Sequence, residues 1–157
     1  MTIDSDKRSD AEIYDELAVA LIRFATVLVG PSNAQDVVSS AVLRSLANPG
    51  WNDVQNRRGY LYQAVANESR NMHRSESRRR DRERRVSEPI VVHLPEFRLD
   101  VQQAVQKLSV RQRAVIYLTY WEDMTNQMTA DYLGISAGSV RRHLARARVH
   151  LKRVLHD

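Results

Sequence analysis

The amino-acid sequence predicts an all-α chain, built as two small helical bundles joined by a linker. Three observations carry that prediction. Apolar residues recur at three- and four-residue spacing along most of the chain, and no segment alternates convincingly at the period of a half-buried strand. Turn and stop signals punctuate those stretches, at Gly30 and Pro31, at Asn48, Pro49 and Gly50, and at Gly134. Between the two halves, residues 86–99 read VSEPIVVHLPEFRL, with two prolines and no helical period.

The first helix is expected over about residues 10–29, where Tyr14, Leu17, Ala18, Leu21, Ala25 and Leu28 form an apolar stripe that ends at Gly30 and Pro31. Ser32 opens a second, with Gln35 at capping-box spacing, and it closes at Asn48, Pro49 and Gly50. Residues 51–58 read as a polar loop carrying one exposed aromatic, Trp51. A third helix starts near Gly59 and carries Tyr60, Leu61, Ala64, Val65 and Glu68. It runs into MHRSESRRRDRERR, where eight arginines lie between Arg70 and Arg85. Asp81 and Glu83 dilute that run, which suits a solvated surface making nonspecific, salt-sensitive contact with nucleic acid. Asp100 caps a fourth helix bearing Val101, Ala104, Val105 and Leu108. Ser109 and Gln112 repeat the capping-box spacing and start a fifth, through about Trp121. These elements divide the chain into a first bundle at residues 10–74, a linker at 75–99 that is helical at its start and extended later, and a second bundle at 100–157.

The last of these elements says most about function. Residues 125–155 read TNQMTADYLGISAGSVRRHLARARVHLKRVL: a helix, a turn at Gly134, Ile135 and Ser136, and a second helix. Gly134 takes the positive φ that reverses the chain, and Ser136 is placed to accept a backbone N–H two or three residues on. Val140, Leu144, Ala147 and Leu151 make the inward stripe. Ser139, Arg141, Arg142, His143, Arg146, Arg148, Lys152 and Arg153 occupy the other faces, with no acid before Asp157. A short helix, a glycine turn and a cationic helix form a helix-turn-helix, which reads a DNA major groove.

Composition agrees. The chain has 157 residues and a net charge of +5, unevenly spread. Residues 1–68 hold 6 basic and 9 acidic side chains, and residues 69–157 hold 18 and 10. Nucleic acid suits the basic end, and a different surface the other. Arginines outnumber lysines 21 to 3, and arginine is the better bidentate partner for phosphate or guanine. With no cysteine, disulfides and cysteine-ligated zinc are excluded. The polar, acidic N-terminus does not read as a secretory signal, and no apolar run is long enough to span a bilayer, so the expectation is a cytoplasmic protein. His143 and His150 lie two turns apart, about 10 Å by helix rise, too far to share a metal in the usual way. The sequence implies no metal, no cofactor and no catalytic residue.

Taken together, these motifs resemble the extracytoplasmic-function (ECF) sigma factors of bacterial RNA polymerase, in the forms found in actinobacteria. In the second bundle the resemblance rests on Leu108, Arg111, Gln112, Arg113 and Val115; on Glu122 and Asp123; on Leu133, Gly134, Ile135, Ser136, Gly138, Ser139, Val140 and Arg141; and on Arg146, Ala147 and Arg148. In the first bundle it rests on Gly30, Asp36, Val37, Val38, Ala41, Leu43, Arg44 and the stretch YLYQAVANE at residues 60–68. It covers about residues 10–155.

The resemblance implies a protein that is not an enzyme and that gives core RNA polymerase its promoter specificity. Residues 10–74 correspond to sigma region 2, which docks on the clamp helices and reads and melts the −10 element. Residues 100–157 correspond to region 4, which sits on the β flap and reads the −35 element. It also implies an anti-sigma factor that clamps both domains, as is common in the family. Ser139, Arg142 and Arg146 are then the candidates for base readout, while Arg141, Arg148 and Arg111 hold phosphates. Residues 48–58 form the loop that captures a flipped base, with Tyr60, Asn67 and Arg70 on the helix that follows. Tyr60 fits a core position as well as a stacking one, and Trp51 a packing role as well as stacking.

The chain departs from the family on the face expected to meet the polymerase. That face comprises Asn33, Gln35, Asp36, Ser39, Ser40, Leu43 and Arg44. Where the family carries a run of acids, only Asp36 keeps its charge. Core binding is therefore expected to be weaker than the family norm. Serine in place of acid also makes Ser39 and Ser40 candidate phosphorylation sites. Met128 and Thr129 are a second departure, where the family has an acid and a β-branched aliphatic. Two rival readings share parts of the pattern: a stand-alone helix-turn-helix repressor, and a helical scaffold using the bundles only for protein contacts.

Overall fold

Capping and apolar spacing produce helices close to those the sequence predicts. The computed structural model describes residues 9–83 and 99–156. Helix α1 (Asp10–Val29) opens with a complete capping box between Ser9 and Glu12. Helix α2 (Pro31–Ala47) follows after one residue, Gly30, whose φ of 85° makes the corner. The expected Ser32–Gln35 cap does not form. Pro31 has φ preset for a first helical position, so the helix starts there with Gly30 before it and no side-chain cap.

The segment expected to be a polar loop is also more ordered. Residues Trp51–Asp53 make a 3-10 turn, and helix α3 (Arg57–Glu83) begins two residues before Gly59. It continues without a break past residue 75, so the start of the expected linker is helical. The part expected to be extended falls on residues 84–98, outside the described residues, and Leu99, expected to close the linker, is already in a helix.

Helix α4 (Leu99–Gln106) starts one residue before Asp100, whose carboxylate accepts from the Val101 N–H inside the first turn. Helix α5 (Val110–Ile116) has the Ser109–Gln112 capping box in full. It winds into a π-helical turn at Tyr117–Trp121. Helices α6 (Asn126–Leu133) and α7 (Ala137–His156) are the helix-turn-helix. Gly134 is left-handed between them at φ 65°, and Ser136 Oγ accepts from the Ser139 N–H at 3.1 Å.

Helices α1–α3 pack on one another, as do α4–α7, but the two bundles share one continuous apolar core. Phe24 of α1 meets Tyr62 of α3 at 5.1 Å and Tyr117 of the π turn at 5.5 Å between ring centroids. Tyr62 in turn meets Tyr132 of α6 at 5.4 Å. Polar contacts cross the same boundary. Arg58 pairs with Glu122 at 3.5 Å, and the hydroxyls of Tyr62 and Tyr117 both reach that carboxylate at 3.4 Å. Burial, and then the Glu122 charge, push the Tyr62 phenol up to about 12, so it stays a donor across the physiological range. Each bundle is small for an independent core, and this shared layer is how the chain buries enough apolar surface.

Candidate nucleic-acid interface

The inward stripe of α7 consists of Val140, Leu144 and Ala147, all buried, with Leu151 half-buried beyond them. That fixes where the cations point. Ser139, Arg142 and Arg146 are spaced three and four residues apart and share one face of the helix. Arg142 and Arg146 are exposed there, and Arg142 donates to the Ser139 hydroxyl at 3.0 Å, which ties the two together. Arg141 and Arg148, seven apart, share a different face. Arg148 is committed to Tyr120: it donates to the phenol oxygen at 2.7 Å and lies over the ring. The first face is open, and the second is partly engaged.

Arg148 belongs to a feature the sequence did not reveal. An apolar groove of about 500 Å³ runs between α4, the π turn and α7. Val101, Val105, Ile116, Tyr120, Trp121 and Leu151 line it, and Val27 of α1 reaches into it. The spacing of Val101 and Val105 was visible, but the groove also takes Tyr120, which lies in the π turn and is exposed beside Arg148 of α7.

In the first bundle, a mixed polar crevice of about 300 Å³ lies between the end of α2 and α3, and Asn48, Tyr60, Gln63, Asn67 and Asn71 are among its lining residues. The Asn48 amide donates to the Tyr60 hydroxyl at 2.8 Å. Tyr60 is half-buried, packing at 5.7 Å between ring centroids against Trp51 with its hydroxyl at the crevice, which meets the core expectation in part. Trp51 is 3% exposed, its indole N–H donates to Asp10 at 2.8 Å, and Arg57 lies over its ring. A buried indole has no face to offer a base, so Trp51 is a packing residue.

Arg70 does not join Tyr60 at the polar crevice, whereas Asn67 borders both that crevice and the one beside Arg70. Arg70 turns toward α5, where it borders a narrow crevice with Arg111. Burial, then the charges of Arg111 and Arg74, lower its pKa. Gln63 and Asn71 are crevice residues that sequence reasoning missed; polar side chains on a polar helix gave no signal.

On α2, Gln35, Asp36, Ser39 and Leu43 are exposed, Leu43 at 67%. Asn33 is tied down instead, donating to the Val29 carbonyl and to Glu76. Arg44 pairs with Glu68 at 2.9 Å, and Ser40 donates to the same carboxylate at 3.4 Å. Among the described residues no group of His, Asp and Glu could hold a metal, and no helix is long and apolar enough to cross a membrane.

The sequence profile of Sigma-70, region 4 matches residues 98–151, which takes in α4 to α7 apart from the last residues of α7. The chain is 32% identical over 147 residues to the ECF RNA polymerase sigma factor SigL of Mycobacterium tuberculosis, covering 84% of this chain and 80% of that one. It is 30% identical over 151 residues to RNA polymerase sigma-E factor of Streptomyces coelicolor, covering 87% and 80%. In fold it is similar to the sigma factor RpoE solved with the anti-sigma factor NepR from Bartonella quintana, with TM-score 0.73, 23% identity and coverage of 92% and 97%. CnrH, solved with the cytosolic domain of CnrY, gives TM-score 0.66 at 21% identity, covering 97% and 90%. With an open cationic helix-turn-helix at one end and this similarity along most of its length, the chain belongs to the ECF sigma factors, the proteins that take RNA polymerase to its promoters.

Proposed function

We propose that the two bundles divide promoter recognition between them. The observation that carries this reading is the open face of α7, where Ser139, Arg142 and Arg146 stand together beside the buried stripe. That face reads base edges of the −35 element, with Arg141 and Arg111 on phosphates. The crevice beside Tyr60 and Asn67 takes an unpaired base of the −10 element, stacking it and bonding its edge with amides. The exposed stripe of α2 meets the polymerase clamp. Leu43 is its apolar anchor, Gln35, Asp36 and Ser39 its polar rim, and Arg44 lies at its edge. The groove of Val101, Val105, Tyr120 and Leu151 takes the β flap, and an anti-sigma factor would compete for these surfaces.

Phosphorylation fits this face at Ser39 alone. A phosphate on Ser40 would meet the Glu68 carboxylate that already holds Arg44. Ser39→Asp therefore raises core affinity and Ser40→Asp does not.

The test is the affinity of the labelled chain for bacterial core polymerase. Leu43→Asp should weaken it by about tenfold or more while leaving the helical circular dichroism unchanged, because Leu43 touches little in the free chain. Unchanged affinity in that variant would remove α2 from the polymerase interface.

A further inference from the structure

The boundary between the bundles places like charges together. Arg70 of α3 and Arg111 of α5 border one crevice, with Asn67, Ala66, Val110 and Leu133 around it. His143 of α7 stands close by, within electrostatic reach of Arg111, Arg146, Arg142 and Arg70. Its Nδ1 is buried and has no hydrogen-bond partner. The ion pairs among the described residues involve none of these four arginines. The crevice encloses only about 10 Å³, so a ligand would lie across its mouth.

Cations drawn together without a carboxylate repel one another and lose hydration. A phosphate-rich anion answers both costs, because guanidinium forks bind phosphate oxygens bidentately and at short range. A single carboxylate brings too little charge for three arginines and a histidine, and a chain of phosphates brings several. We propose that Arg70, Arg111, Arg146 and His143 form a composite site for a phosphate-rich anion, shared between the two bundles. Since neither bundle supplies the whole site, the anion binds the packed arrangement best and shifts the population toward it. The site shares Arg111 and Arg146 with the faces given above to promoter DNA and rests on that reading for a nucleic-acid ligand. Tripolyphosphate needs neither DNA nor polymerase and so separates the site's failure from theirs.

The protein as it stands would be titrated with sodium tripolyphosphate by calorimetry at fixed ionic strength, and separately with a short duplex of arbitrary sequence. Arg70→Gln and Arg111→Gln should each weaken binding about tenfold, whereas Arg153→Gln, at the far end of α7, should not. In the unmutated chain, the bound anion should move the His143 imidazole titration upward in NMR spectra, because it offsets the surrounding positive charge. Weakening for tripolyphosphate assigns a free oligophosphate as sufficient ligand, and weakening for the duplex alone assigns the nucleic-acid backbone. Binding of both ligands untouched by Arg70→Gln, or a His143 titration that neither ligand moves, overturns the composite site.

Discussion

The Arg113 guanidinium donates to the main-chain carbonyl of Leu28, 2.7 Å away and 85 residues earlier in the chain. Arg113 also donates to the Leu108 carbonyl at 3.1 Å, so one side chain fastens α5 to the end of α1. Burial lowers its pKa, and both partners are neutral carbonyls. A part-buried charge held only by carbonyl dipoles is costly to leave without them.

Arg113→Ala should therefore destabilise the fold by roughly 2–3 kcal/mol, the usual cost of removing a charged donor from buried acceptors. Urea unfolding measures this. Since the chain has no cysteine, a dye pair on introduced cysteines in α1 and α5 would also report separation of the bundles. Arg111→Ala, two residues earlier and half-exposed, should cost less than about 1 kcal/mol.

The turn of the helix-turn-helix touches the other bundle. A Cβ on Gly134 would lie 2.4 Å from Nε2 of Gln63, at a φ of 65° that already disfavours a side chain. Gly134→Ala should cost about 1–2 kcal/mol from backbone strain, with a further penalty from Gln63. Gln63→Ala should relieve the second part and leave the first. A double-mutant cycle by chemical denaturation reads both, and the double variant should lose less than the sum of the two single losses if Gln63 packs as described.

Thr129 is fully buried in α6, and its hydroxyl has no partner. This is where the sequence departs from the aliphatic residue of the family, and the structure shows what the departure costs. Thr129→Val keeps the shape and removes the orphaned hydroxyl, so it should stabilise the chain by about 1 kcal/mol in a thermal melt.

His143 gives the chain a pH dependence of definite sign. Burial first, then Arg111, Arg146, Arg142 and Arg70, hold its imidazole below the ordinary value of 6.5. The unfolded chain then binds the proton more readily than the folded one. Stability is complete above about pH 6.5 and declines as pH falls from there toward the folded-state pKa. His143→Gln should flatten that part of the stability-against-pH curve, measured by denaturant midpoints at constant salt.

How much of this was legible depended on how local the cause was. Ser109 with Gln112, and Ser136 with Gly134, act within four residues, and the sequence showed them correctly. Ser32 with Gln35 failed because Pro31 outcompeted it for the helix start. Trp51 looked exposed because its cover is Asp10, 41 residues away, and Arg57. The pairing of Tyr62 with Glu122 joins residues 60 apart, and neither has a sequence signature for it. Of the candidate contacts, Ser139, Arg142 and Arg146 came from the resemblance, and helical spacing puts the three on one face. The turning of Arg70 toward Arg111 needed the packing of α3 on α5, which no local pattern carries.

The central claim is promoter recognition, and run-off transcription tests it most directly. Purified chain and bacterial core polymerase would be combined on sheared genomic DNA from its own source. Specific transcripts absent with core alone are the expected result, and Arg142→Ala should weaken those promoters by about 1–3 kcal/mol in template affinity, with Arg148→Ala, held by Tyr120, having less effect. A chain that shifts DNA by itself but neither binds core nor yields a specific transcript would contradict the account and leave a stand-alone regulator in its place.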